Sequence, residues 1–173
     1  IKNKIKKRIL RTYMPVFPFT FTNENTFCIS LDRRPDRWER MQKRFDFFDM
    51  EVQRWTASTE NNVTDVFSNY LNGGQKGCSQ SHINIYKHII KNDIKYALIL
   101  EDDACFDILW RCKLNELTEK LTEEEYEKLN MVLLNASEPM ENRNIWELQT
   151  EQYLTGGYII TKKGAEWILN YYR

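Results

Sequence analysis

The apolar run Tyr96-Ala97-Leu98-Ile99-Leu100 ends directly in Glu101-Asp102-Asp103, and this junction constrains the fold more than any other part of the chain. The run is short and does not alternate, as expected of a central strand buried on both faces in a parallel sheet. A buried strand ending in acid delivers negative charge to the carboxyl edge of a sheet, where open α/β sheets bind ligands. Three adjacent carboxylates repel one another unless a cation or another positive partner offsets them. Ligands that offer only oxygen suit Mg²⁺ or Mn²⁺ rather than zinc. The plainer alternative is a triplet that ends a strand and faces water.

The rest of the chain supplies the sheet that such a strand needs. Thr26–Leu31 reads as a first buried strand, followed by Asp32-Arg33-Arg34 and then by Pro35, placed where proline opens a helix. Trp38, Met41, Phe45 and Phe48 recur at helical spacing and give that helix a core face. Glu51–Trp55 reads as a shorter strand, and Val63–Leu71 as a helix that Asn72-Gly73-Gly74 breaks. Gly77–His82 leads into a helix carrying Ile83, Tyr86, Ile89 and Ile90. Leu114–Leu129 is helix-prone, Met131–Leu134 and Tyr153–Thr161 read as strands, and Lys162–Tyr171 closes as a helix with Ala165, Ile168, Leu169 and Tyr172 inward. Trp38 and Trp167 are taken as core. Strands alternating with helices indicate an α/β fold with a largely parallel sheet.

Composition removes several classes of function. Lys plus Arg equals Asp plus Glu at 25 each, so no global field draws the chain to nucleic acid or an anionic membrane. With 173 residues, 42% of them hydrophobic, the chain can bury one real core. No apolar stretch is long enough to span a bilayer. Residues 1–25 read as a basic lead-in and extended connector, and residues 26–173 as the functional domain. The lead-in lacks the apolar core of a signal peptide, so a cytoplasmic location is expected. Cys28, Cys78, Cys105 and Cys112 form no CxxC pair, which argues against zinc and against a disulfide framework. Cys78 is read as a packing residue.

Strand ends then converge. Asp32, Arg33, Arg34 and Arg37 follow the first strand, Gly77–His82 opens a helix, and Glu101–Asp103 ends the third strand. Arginines beside a helix N-terminus suit a phosphorylated ligand. There is no GxGxxG and no GxxxxGK[ST], which weakens dinucleotide and P-loop readings. Glu101 and Asp103, as alternate residues of an extended segment, are expected to share one face.

These blocks resemble glycosyltransferase family 25, which includes bacterial lipooligosaccharide β-galactosyltransferases and procollagen galactosyltransferases. The resemblance rests on Ile29–Arg37, Gly77–His82, Leu98–Asp103 and the later block Tyr153–Ala165, in that order, and spans Phe27 to about Leu169. It implies a GT-A type, Rossmann-like fold: a mixed, largely parallel sheet flanked by helices. It also implies a UDP-sugar donor, a divalent cation, usually Mn²⁺, and inversion at the anomeric carbon. Glu101 and Asp103 would hold the metal. Leu31, Asp32, Arg33 and Arg37 would meet the nucleotide, with Ser81 and Asp102 beside it, and Gly156-Gly157 would lie nearer the acceptor. His82 and Glu138 are the candidate catalytic groups.

The chain departs from the family pattern where Gln75 and Lys76 precede Gly77-Cys78 in place of an acid and an apolar residue, and where Asn130 replaces a common Asp. It also ends soon after the Ala165 helix, as a C-terminally trimmed domain would. The expected activity is transfer of a hexose, galactose first, to a hydroxyl on a glycan or hydroxylysine. The rival reading is a non-catalytic nucleotide-sugar or glycan-binding module from a larger enzyme. An acid-box phosphohydrolase ranks lower, because its nucleophile is an Asp leading a DxD pair and Glu leads here.

Overall fold

The computed structural model describes residues 19–135 and 156–171. Five strands form one sheet in the order β2-β1-β3-β5-β4. They are β1 (Thr26–Ser30), β2 (Gln53–Thr56), β3 (Tyr96–Glu101), β4 (Met131–Leu133) and β5 (Gly157–Thr161). β1 pairs in parallel with β2 and β3, and β5 runs antiparallel to β3 and β4. The sheet is therefore mixed, and the parallel half is the one that holds the acidic triplet.

The helices are α1 (Pro35–Phe48), α2 (Gly73–Lys91), α3 (Trp110–Thr118), α4 (Glu123–Lys128) and α5 (Lys162–Tyr171). Residue alternation along the strands divides the core in two. Cys28, Leu98, Leu100 and Ile159 pack with Met41 and Phe45 of α1 and Leu114 of α3. Phe27, Ile29, Ala97, Ile99, Tyr158 and Ile160 pack with Ile85, Tyr86 and Ile89 of α2 and Ala165 of α5. The chain leaves β1 for β2 on one side and returns across β1 to reach β3. The switch point between β1 and β3 is where open α/β sheets form a ligand crevice.

Three sequence expectations change. Val63–Leu71 is not helical, and Val66 and Tyr70 stand fully exposed. The buried Gln80 side chain instead accepts hydrogen bonds from the backbone amides of Thr64 and Asp65, both at 2.8 Å, and holds the segment as a loop. Asn72-Gly73-Gly74 does not break a helix but starts one. Asn72 Oδ1 accepts the Gln75 amide at 2.9 Å and Gln75 Oε1 accepts the Asn72 amide at 2.9 Å, which is a reciprocal cap. Trp167 is 58% exposed and stacks on Tyr171 rather than entering the core.

The connector also packs more than a lead-in would. Phe19 is buried in the α1-side core, and the Thr20 amide donates to Tyr96 Oη at 2.7 Å. Among the described residues no helix is long and apolar enough to cross a membrane.

Candidate functional site

The carboxyl ends of β1 and β3 and the amino end of β5 meet at one edge of the sheet. The register pairs Leu100 with Gly157, and the Glu101 amide donates to the Gly156 carbonyl at 3.0 Å. Gly156-Gly157 therefore lies against the acidic triplet.

The pleat splits the triplet. Glu101 is the last residue of β3 and continues the Ala97–Ile99 face, toward α2. Asp102 continues the Leu98–Leu100 face, toward α1. There the Arg37 guanidinium, from the first turn of α1, donates through Nη1 to Asp102 Oδ1 at 2.9 Å and to Asp103 Oδ2 at 3.2 Å. Glu101 and Asp103 were expected to share a face, but the strand does not continue far enough. After Glu101 the chain turns, with the Ala104 amide on the Glu101 carbonyl at 3.0 Å, and the turn carries Asp103 round to Arg37. Arg44 closes the turn from α1, donating to the Ala104 carbonyl at 2.7 Å.

The donor set on the α1 face fits a divalent cation. Asp102 is only 7% exposed, and its Oδ2 is buried with no hydrogen-bond partner among the described residues. Such an oxygen costs about 1–3 kcal/mol unless something satisfies it. Asp103 beside it is 59% exposed and open to a ligand. Two carboxylate oxygens of this kind match Mg²⁺ or Mn²⁺ chemistry.

The β1 end supplies the neighbouring wall. Leu31 is half-buried and its carbonyl accepts the Arg34 amide at 3.0 Å, which turns the chain into α1. Asp32 accepts from Arg54 Nη2 at 2.9 Å, and Arg33 is exposed. Arg34 forks onto Asp36 with both bonds at 2.8 Å, holding that carboxyl down to about 2. The pair is exposed and contributes little to stability.

On the α2 face, Cys78 and His82 stand at i and i+4 of one helix and face Glu101. Their nearest ligand atoms all lie within 4.8 Å of one another. His82 Nδ1 shares a 2.6 Å hydrogen bond with the Tyr158 hydroxyl, which shares a 2.8 Å bond with Tyr86. His82 Nε2 lies 3.5 Å from Glu101 Oε1, within ion-pair distance but without a hydrogen bond. With one nitrogen engaged by Tyr158 and the ring buried, His82 turns its other nitrogen toward Glu101. Burial pushes the Tyr158 hydroxyl well above its ordinary pKa, so it stays a neutral phenol. Cys78 is exposed as a residue while its thiol is partly buried. That burial, followed by the Glu101 and Asp103 charges, pushes the thiol up to about 11.

Ser81 is fully buried and spoken for. It accepts the Ser58 amide at 2.7 Å and donates to the Gly77 carbonyl at 2.8 Å, so it fastens the loop after β2 to α2. Gly77 permits that closeness, since a Cβ there would come within 2.7 Å of the Ser58 carbonyl oxygen. Glu138 and Tyr153–Thr155 lie outside the described residues. Cys78, read from the sequence as a packing residue, comes together here with His82 and Glu101. The legible signal was the i, i+4 spacing of Cys78 and His82 on a helix, which puts both on one face.

Several known proteins are similar to this chain. Procollagen galactosyltransferase 1-B of Xenopus laevis is 28% identical over 88% of this chain and 29% of its own length. A glycosyltransferase 25 family member of Drosophila melanogaster is 30% identical over 82% of this chain and 27% of its own. The human inactive glycosyltransferase 25 family member 3 is 31% identical over 64% of this chain and 21% of its own. The chain thus spans less than a third of the length of these relatives. Residues 23–173 match the family described as glycosyltransferase family 25 (LPS biosynthesis protein), and the chain belongs to that family.

Proposed function

We propose that this chain carries the donor-binding core of a transferase that moves galactose from a UDP-sugar to a hydroxyl of a glycan or of hydroxylysine, with inversion. The supporting observation is the switch-point crevice of a family 25 domain, in which Arg37 gathers Asp102 and Asp103 at the end of β3. Asp102 and Asp103 are the residues that would hold Mn²⁺ or Mg²⁺. Such an ion, when bound, supplies a Lewis acid for the departing diphosphate. Arg37 gathers the two carboxylates and offsets their charge before any ligand arrives. Leu31, Asp32 and Arg33 form the β1 rim against which the nucleotide lies. Glu101 borders Gly156 on the side assigned to the sugar and the acceptor. Inverting transfer also needs a base for the acceptor proton, and Glu138 is the assigned carboxylate.

One observation favours a second reading, donor binding without transfer: a relative with 31% identity is named an inactive family member. Thermal melts with UDP-galactose, UDP-glucose and UDP-N-acetylglucosamine, each with and without Mn²⁺, test the donor site. At a hundredfold excess over Kd, a ligand specific for the folded state stabilises it by about 2.7 kcal/mol. The expected result is a metal-linked rise, largest for UDP-galactose. No metal-linked shift with any UDP-sugar sinks the donor site. A shift without release or transfer of sugar selects the second reading.

A further inference from the structure

The α2 face of the same edge holds a second constellation, separate from the Asp102–Asp103 pair. Cys78 and His82 project from adjacent turns of α2, and Glu101 meets them from the end of β3, with the three ligand atoms within 4.8 Å of one another. A thiol, an imidazole and a carboxylate form a mixed sulfur, nitrogen and oxygen set. That set suits a borderline cation rather than the hard ions that oxygen-only sites take.

An independent observation points into this cluster. The His82 side chain is 8% exposed, and its Nε2 has no hydrogen-bond partner among the described residues while facing Glu101. The opposite nitrogen, Nδ1, is already engaged by Tyr158 at 2.6 Å, and Tyr158 by Tyr86 at 2.8 Å. This is the outer-shell arrangement that orients a ligating histidine. With Nδ1–H donating to Tyr158 and the Tyr158 hydroxyl donating to Tyr86, Nε2 presents a lone pair to the cluster.

We infer that Cys78 Sγ, His82 Nε2 and a Glu101 carboxylate oxygen form a binding site for a thiophilic divalent cation of the Zn²⁺ class. The site is distinct from the Asp102–Asp103 pair on the α1 face. Binding exchanges the Cys78 S–H bond for a sulfur–metal bond and releases one proton to solvent. Thiolate and carboxylate together neutralise the two positive charges, which allows the ion to sit beside the buried imidazole. Cys78 is exposed, so the ion has a route in. Three protein ligands leave a fourth position for water or for a ligand oxygen. Gly77 and the loop after β2 fix the helix turn that carries Cys78.

Titration of the 173-residue chain with Co²⁺, a spectroscopic stand-in for Zn²⁺, tests the site. The expected result is a 1:1 complex with tetrahedral visible bands and a near-ultraviolet thiolate-to-metal band. Zn²⁺ should erase both, and Mg²⁺ neither. Cys78→Ser should remove the thiolate band, and His82→Asn should weaken binding. Tyr158→Phe keeps all three ligands and the shape of the core, and should weaken binding by about 10–100-fold. A wild-type chain without the thiolate band overturns the site, as does an undiminished band in Cys78→Ser. The readout is a metal–sulfur bond, so it stands or falls separately from sugar transfer. A thiolate band together with no UDP-linked melting shift counts against the donor reading alone.

Discussion

The two faces of the sheet treat neighbouring acids differently. On the α1 face, Asp102 and Asp103 share the Arg37 guanidinium. On the α2 face, Glu101 meets a buried histidine and a thiol. These residues are adjacent in sequence, and the pleat alone sends Glu101 and Asp102 to opposite sides. A contiguous acidic motif therefore need not face one side of the sheet. Its members are sorted by which helix covers each face.

The strongest way to break this contrast is to neutralise one acid at a time. Asp103→Asn should lower metal-dependent transfer by on the order of 10²–10³-fold, the usual cost of losing one electrostatic stabiliser. Melting should change little, because the side chain is 59% exposed. Glu101→Gln should leave the Mn²⁺-linked UDP-galactose melting shift in place. If Glu101→Gln abolishes that shift as completely as Asp103→Asn does, the division between faces is wrong.

Next in size is the Arg37 pair. Arg37→Ala leaves Asp102 buried with no cation beside it, which should cost about 2 kcal/mol once Arg37's own partial exposure is discounted. Combined with Asp102→Asn, the two losses should fall short of additive in urea denaturation. Strict additivity would mean that Arg37 does not hold Asp102. On the α2 face, Gly77→Ala should cost about 1–3 kcal/mol, because the new methyl meets the Ser58 carbonyl and the Thr59 backbone. It should also weaken the Co²⁺ complex while leaving the Mn²⁺-linked UDP shift in place. A variant as stable as the parent would show that the loop after β2 moves freely off α2.

Much of the fold beneath this contrast was legible in the sequence. Proline at the start of α1, the Met41–Phe45–Phe48 spacing and the unalternating β3 each mark an element through local chemistry. The split of the triplet was not legible, because it depends on where β3 ends. One more extended residue would have placed Asp103 beside Glu101, and only the turn onto Arg44 decides otherwise. The start of α2 was misread for a related reason. Asn-Gly-Gly is a strong turn signal, but the reciprocal bonds between Asn72 and Gln75 make it a cap. Trp167 looked like core by size, yet the helix turns it outward, and no local pattern separates those outcomes.

The smallest expected effect separates the faces by pH. His88 lies on α2 and packs edge-on against Phe27 and Trp55, with ring centroids at 5.5 and 5.2 Å. Burial, followed by the nearby Lys91, lowers its pKa below the ordinary histidine value. At acidic pH the unfolded chain then binds a proton that the folded chain resists. Stability from this residue is intact above an unfolded pKa of about 6.5 and declines as the pH drops below it. The urea midpoint should therefore fall between neutral pH and pH of about 5.5, and His88→Gln should fall less steeply over the same interval. Every other titratable group is common to both proteins, so the difference between the two slopes belongs to α2. Parallel slopes would mean that the Phe27–Trp55 contact leaves the imidazole free to charge, and that α2 is less firmly seated than the sheet beneath it.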